Sequence, residues 1–251
     1  MLDILASEHL KYKRSFAKRL TLITPLLFIL ISLRVTLFLS DGMEAWDLLI
    51  AQIYNWWPVL FVPLGTALLA ALVQQKERRA GNFQNLRIHP VSSTVLWTGK
   101  TAILAYHTLL STSLLAGALF LSGLFTAGGE IPWSRIATGA LLIWLTSLPL
   151  IPIQLWAAAW KGTLFSMTLG LTGLIAGVLA APTPHWVYVP WSWPTRLMAP
   201  VAGVHPNGVP LDSQDPLLDP SVIPVGTFLG ATALILFTWI TARWFKGKET
   251  R

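Results

Sequence analysis

The sequence predicts an all-α integral membrane protein that crosses the bilayer six times. The chain of 251 residues is 54% hydrophobic and 12% charged, with a mean hydropathy of +0.60, whereas a soluble domain carries about 25% charged residues. Six apolar runs have the roughly 20 residues that a helix needs to cross the hydrocarbon core. Lys and Arg residues are concentrated in alternate connecting segments, as in proteins that span a membrane.

The N-terminal segment, 1–19, places five Lys and Arg residues among apolar side chains, and a first span is predicted at 20–40. This run is longer than the roughly 7–15 apolar residues of a signal peptide, and no small-residue cleavage site follows it. The basic segment is predicted to be an interfacial helix, while a simple positive anchor is an equally good interpretation. Arg34 lies in the outer part of the span and is expected to extend toward Asp41 and Glu44.

The remaining spans are predicted at 56–73, 102–125, 136–159, 164–181 and 222–244. The second begins with the aromatic stretch 54–58, where Pro58 is tolerated because the N–H groups of a first turn are unpaired anyway. Pro149 and Pro152 are expected to break the fourth span near its middle. Small residues in the fifth span indicate a tightly packed helix face: Gly170, Gly173 and Gly177.

The distribution of positive charge predicts the orientation of the chain. Fifteen of the 18 Lys and Arg residues fall in segments on one side of the predicted spans, and only Arg135 and Arg196 fall in segments on the other. Because Lys and Arg favour the cytoplasmic side, both termini are predicted to be cytoplasmic.

The last outer loop, 182–221, contains nine prolines and a cluster of tryptophans. A loop of this length is usually functional or disordered. Trp186 is interpreted as part of an interfacial aromatic belt. Trp191 and Trp193 fit either that belt or a contact surface for substrate or lipid, and they are the candidate contact residues.

The sequence contains no pattern that indicates an enzyme active site or a metal site. It has no cysteines, its five histidines lack metal-ligand spacing, and no Asp or Glu lies in a predicted span. His107, inside the third span, is expected to hydrogen-bond to a neighbour. No Walker A loop is present, so we predict no catalytic residue and no metal ligand in this chain. Energy for transport would come from another subunit.

Segment 74–100 is the only long polar segment between two spans on the positively charged side, and it is predicted to lie in the cytoplasm. The second helix is expected to continue to Arg79. Gly81 and Asn82 then interrupt it, since both residue types tolerate left-handed backbone geometry. Residues 83–87 would form a short amphipathic turn with Phe83 and Leu86 on its apolar side.

Ser92 is predicted to cap the third span. A short helix that crosses between two spans would act as a lever for a partner protein. An ordinary amphipathic interfacial loop is an equally good interpretation of the residues alone.

Residues 76–85, KERRAGNFQN, resemble the cytoplasmic coupling segment of the lantibiotic-immunity ABC permeases, the MutE/EpiE family. Other motifs similar to that family occur in the same order along the chain: ASEHLKYKRS at 6–15, YNWW at 54–57, VPWSW at 189–193 and HPNG at 205–208. The resemblance covers essentially the whole chain.

The resemblance implies the fold of an ABC-2 type permease. Two permease subunits, commonly different ones, would pair with two copies of a separate ATPase that binds ATP and Mg²⁺, so this chain would hold no cofactor. The coupling helix and its start would comprise Glu77, Gly81, Asn82, Phe83, Gln84, Asn85 and Leu86. The substrate would be a lantibiotic peptide, expelled from the cell membrane of a Gram-positive bacterium as self-protection.

Two other functions remain open from the sequence. The chain could be an ABC-2 permease for another antibiotic or a lipid. It could instead be a non-transport membrane protein that sequesters or senses a peptide. Membrane lipids are expected partners in each case, and nucleic acid is not.

Overall fold

The computed structural model describes residues 2–13, 15–38, 45–79 and 92–249. Ten α-helices and no β-strands occur in these ranges: α1 Leu2–Tyr12, α2 Phe16–Phe38, α3 Ala45–Trp56, α4 Val62–Arg79, α5 Ser93–Thr126, α6 Trp133–Ser147, α7 Leu150–Lys161, α8 Thr163–Ala180, α9 Trp193–Ala202 and α10 Val222–Glu249. Six stretches are long and apolar enough to span a membrane: Phe16–Leu33, Ala45–Arg79, Ser93–Thr126, Trp133–Lys161, Thr163–Ala180 and Val222–Gly247. The predicted all-α, six-span architecture is confirmed.

The second spanning unit begins earlier than the sequence predicted. Its helix starts at Ala45, and α3 passes into α4 through a π-helical turn, Trp57–Phe61. Pro58 therefore lies inside a continuous helical run and not in its first turn. Proline has no backbone N–H to donate to the preceding turn, and the wider π turn accommodates this missing hydrogen bond. Tyr54 is buried, not interfacial, and its hydroxyl donates to the backbone oxygen of Ile136 at 2.6 Å.

Helix α5 is the longest in the described structure, with 34 residues. At 1.5 Å per residue it measures about 51 Å, well beyond the roughly 30 Å hydrocarbon core. The predicted cap is confirmed, since Ser92 Oγ accepts a hydrogen bond from the N–H of Val95 at 3.3 Å. The first turns of α5 therefore extend past the apolar layer.

The fourth spanning unit is interrupted near its middle, as predicted. Helix α6 ends at Ser147 and α7 begins at Leu150, with Pro149 at the junction. Gly162 connects α7 to α8 with a φ of +91°, a backbone conformation that favours glycine. The two helices consequently reverse direction within a single residue.

The segment that follows α8 differs from the predicted surface loop. Two 3₁₀ turns, Pro184–Tyr188 and Pro190–Ser192, lead into α9, which is buried in the main apolar core. Trp186 belongs to that core and not to an exposed belt. Pro184, Pro190 and Pro194 occupy the starts of helical turns, where a missing N–H costs little, so a proline-rich segment can fold inward.

The bundle has two distinct ends. The Lys100 end contains α1, the end of α4, the start of α5, the α7–α8 turn and the end of α10. At this end Trp97 Nε1 donates to Thr241 Oγ1 at 2.9 Å, and the Trp97 ring stacks on Phe245. At the opposite end, Arg135 forms a salt bridge with Asp47 and donates from Nε to the backbone oxygen of Val201 at 3.0 Å.

Candidate functional site

A cluster of four charged side chains, Glu8, Lys11, Glu77 and Lys100, joins three helices at the Lys100 end. The Lys100 ammonium lies 2.6 Å from Glu77 Oε1 and 3.1 Å from both carboxylate oxygens of Glu8. The Lys11 ammonium lies 2.6 Å from each of the same two side chains. Helix α1 is thereby connected to α4 and α5 through charged groups.

Burial makes this pairing obligatory. The Lys100 side chain is 0% exposed, and both carboxylates are nearly as buried. A buried charge costs several kcal/mol unless it is paired and hydrogen-bonded. Burial alone lowers the pKa of Lys11, but hydrogen bonds to Glu77 and Glu8 outweigh it and raise the pKa above its usual value. Lys11 therefore stays protonated at neutral pH, and the four charges balance.

Aromatic stacking provides a second attachment of α1 to α5. The rings of Tyr12 and His107 stack with centroids 4.0 Å apart, and the ring of His9 also stacks on His107, at 5.7 Å. The expected hydrogen bond of His107 is not found, since neither imidazole nitrogen has a partner in the described part of the chain. Helices α1 and α5 approach closely at Gly99, which has no Cβ. A Cβ at this position would lie only 2.8 Å from the Ile4 side chain.

Arg78 connects the end of α4 to the end of α7. Its guanidinium donates from Nη2 to the backbone oxygens of Ala158 and Ala159, each at 3.0 Å. These are among the last carbonyls of α7, where the helix carries its partial negative charge, and the oxygen of Ala158 also accepts from the N–H of Gly162 at 3.0 Å. Neighbouring residues of α4 therefore have different roles: Glu77 binds α1 and α5, and Arg78 binds the end of α7.

Arg78→Gln is expected to lower the free energy of unfolding by about 1–3 kcal/mol, because the buried carbonyls of α7 lose a charged donor. Chemical unfolding of the full chain in detergent measures this. Arg79→Gln is the matched control, since both arginines are exposed and only Arg78 donates to the α7 carbonyls in the part of the chain that the structure describes. Equal losses in the two variants would contradict the capping role.

Of the seven residues predicted to form the coupling helix, the structure describes only Glu77. Gly81, Asn82, Phe83, Gln84, Asn85 and Leu86 lie outside the described residues, as do Asp41, Glu44 and the Arg34 side chain. Glu77 is in the last turn of α4, with its carboxylate directed into the charged cluster. The segment that follows Arg79 thus begins from a firmly anchored helix end.

The two candidate contact tryptophans take part in packing. Trp193 is 4% exposed, and its indole N–H donates to the backbone oxygen of Trp186 at 3.1 Å. Trp191 packs against α8, where a Cβ at Gly173 would lie 2.3 Å from its ring and one at Gly177 only 2.8 Å from its backbone oxygen. The glycine face predicted in the fifth span therefore packs within the chain.

Sequence reasoning did not identify the partners of Glu77. In the sequence, Lys100 is one of the positive charges of the 74–100 segment, but it also follows the apolar residues Leu96 and Trp97. A lysine one turn inside an apolar helix requires a counter-charge, and this signal points to Glu8 and Glu77. Glu8 lies among five cations in segment 1–19, so the sequence by itself gives no sign that its side chain is buried.

The comparisons with known proteins identify the family. Residues 4–177 match the family model described as ABC-2 family transporter protein. Comparisons with curated proteins and with solved structures gave no match. The matched region runs from α1 through most of α8 and contains the charged cluster. The chain belongs to the ABC-2 family of transporter proteins, as the membrane-spanning permease subunit that works with a separate ABC ATPase.

Proposed function

We propose that this permease subunit exports a lantibiotic peptide from the cell membrane and so protects the producing cell. The observation that carries the proposal is the anchoring of the α4 end, where Glu77 binds α1 and α5 while Arg78 binds α7. Force applied to the segment after Arg79 would reach α1 and α5 through Glu77 and α7 through Arg78. The peptide class is supported by the resemblance of residues 76–85 and 189–193 to the lantibiotic-immunity permeases.

In this proposal the ATPase binds the amphipathic turn at 83–87 from the cytoplasm. Closure of the two ATPase copies displaces that turn, and the anchored helices move with it as a unit. Two permease subunits, commonly different ones, then rock between states that face opposite sides. Buried ion pairs suit this transmission because a packed, fully paired cluster resists gradual deformation.

Phe83→Asp is expected to abolish co-purification of the ATPase and to remove peptide protection, since a charge would occupy the apolar side of the turn that the ATPase contacts. Affinity purification from cells that express the complete transporter, together with survival at graded peptide concentration, measures both effects. Phe125→Asp is the matched control, because this side chain is 87% exposed at the opposite end of α5. Retained association and protection in Phe83→Asp would disprove the coupling role.

The same survival assay separates export from sequestration. With the catalytic glutamate of the ATPase replaced by Gln, an exporter loses protection, whereas a sequestering or sensing protein keeps it. Peptide-stimulated ATP hydrolysis across a panel of lantibiotics, other antibiotics and lipids then identifies the substrate class. Stimulation by lipid alone would favour the lipid permease over the peptide exporter.

A further inference from the structure

A groove of about 260 Å³ lies between α4 and the junction of α1 with α2. One part of it is lined by the cations Lys11, Lys76 and Arg79, and the other by the apolar side chains of Phe16, Leu72 and Val73. Its volume approaches the roughly 300 Å³ at which ligand sites begin. The groove is therefore amphipathic, with a charged and an apolar part.

Two of the three cations that line the groove, Lys76 and Arg79, have no acidic partner among the described residues. Lys11 and Lys100 are neutralised by Glu8 and Glu77 within the charged cluster. Lys76 donates only to a neutral group, the backbone oxygen of Lys11. No salt bridge to Lys76 or Arg79 is formed by the residues that the structure describes. Two positive charges consequently remain available to a ligand that enters the groove.

The spacing of the two parts matches the boundary of a bilayer. Val73 precedes Arg79 by six residues on α4, which corresponds to about 9 Å along the helix. The polar layer on one side of a membrane is about 5–8 Å thick. Phe16, at the start of α2, is 60% exposed on the apolar part. An acyl chain can therefore lie beside Phe16 and Val73 while its phosphate reaches Lys76 and Arg79.

We propose that this groove binds one anionic phospholipid, with its phosphate at Lys76 and Arg79 and an acyl chain along Phe16, Leu72 and Val73. The excess of two positive charges favours an anionic lipid over a zwitterionic one, whose choline would bring a third positive charge close to them. The bound lipid would fill the space between α1–α2 and α4 directly beside the charged cluster. This site is independent of the identity of the exported substrate.

Native mass spectrometry of the full-length chain, purified and stripped of lipid, tests the proposal with phosphatidylglycerol and phosphatidylcholine as probes. Wild type is expected to retain one phosphatidylglycerol in preference to phosphatidylcholine. The double variant Lys76→Gln/Arg79→Gln is expected to bind phosphatidylglycerol about 30-fold more weakly, since each cation near an anionic headgroup contributes about 1 kcal/mol. Both side chains are exposed, and chemical unfolding of the double variant within about 0.5 kcal/mol of wild type checks that loss of the Lys76 hydrogen bond to the Lys11 oxygen leaves the fold intact.

Lys246→Gln is the matched control, because it removes an exposed charge at the same end of the bundle but outside the groove. Its binding is expected to stay within about twofold of wild type. Unchanged binding in the double variant, equal weakening in Lys246→Gln, or no preference for phosphatidylglycerol would each overturn the proposal.

A photocrosslinker identifies the occupant directly. Val73→benzoylphenylalanine, activated in phosphatidylglycerol nanodiscs, is expected to give an adduct with the mass of the lipid. Crosslinks confined to the chain's own residues 80–91 would overturn the proposal, because the groove would then be filled by the protein itself.

Discussion

Replacing Lys100 by Met is expected to lower the free energy of unfolding by about 3–5 kcal/mol and to abolish export. The substitution leaves Glu8 and Glu77 facing one another in a buried cluster, with only Lys11 to neutralise them. Removing one partner of a buried ion pair has a cost of this size because an uncompensated charge remains. Chemical unfolding of the full chain in detergent measures the loss, and the survival assay measures export.

A charge-balanced double variant distinguishes electrostatics from packing. Lys100→Met/Glu77→Gln restores neutrality, since Glu8 and Lys11 remain paired, and it should recover more than half of the lost stability. Lys246→Met, at an exposed position of α10, serves as the control and should change stability by less than about 0.5 kcal/mol. If Lys100→Met behaves like Lys246→Met, the cluster does not hold α1 in place.

Trp193→Ala is expected to destabilise the protein by about 3–5 kcal/mol, the usual cost of removing a buried tryptophan from a core. Its indole packs in the main core, and its N–H donates to the backbone oxygen of Trp186. Loss of the ring would leave a cavity where α9 enters the bundle and would remove one donor from the Trp186 oxygen, which also accepts from Ser192 Oγ at 2.8 Å. Thermal unfolding of Trp193→Ala, compared with wild type in the same detergent, gives the measurement.

Trp193→Phe separates packing from substrate contact. It keeps an aromatic ring in the core, so a packing residue should regain most of the stability and retain the peptide profile of wild type. A contact residue would regain stability but show a changed peptide preference in the survival assay. Trp133→Ala removes a tryptophan that is 58% exposed and should have little effect. Comparable destabilisation by Trp133→Ala would contradict the packing role of Trp193.

The last turn of α4 connects the segment after Arg79 to α1 and α5 through Glu77 and to α7 through Arg78. Glu77 and Arg78 are adjacent in sequence but bind groups on different sides of the helix, because successive helical residues lie about 100° apart. Loss of the Glu77 contacts should weaken the connection of α1 and α5 to the segment after Arg79. Loss of the Arg78 contacts should weaken the connection of α7. Both variants should then lose export. Arg78→Gln would lose it because the Arg78 hydrogen bonds to the end of α7 are lost, and Lys100→Met because the charged cluster with Glu8 and Glu77 is broken.

Several features of this protein were determined by local sequence. The six spans follow from apolar runs of sufficient length, because a bilayer requires every backbone polar group to be paired within the segment. The interruption at Pro149 and the cap at Ser92 also arise locally, from a missing N–H and from a side-chain acceptor. None of these depends on which helices are neighbours.

The tertiary structure decided the features that join distant residues. Glu8 and Lys100 are separated by 92 residues, so their pairing depends on the docking of α1 against α5. Local sequence places Pro58 at the start of a helix, whereas in the structure it lies in a π turn inside a continuous helical run. The prolines at 182–221 predict a surface loop, yet part of this segment forms α9, whose Trp193 and Leu197 are buried in the main core. Hydropathy specifies which segments leave water, whereas the contacts among buried side chains select their partners.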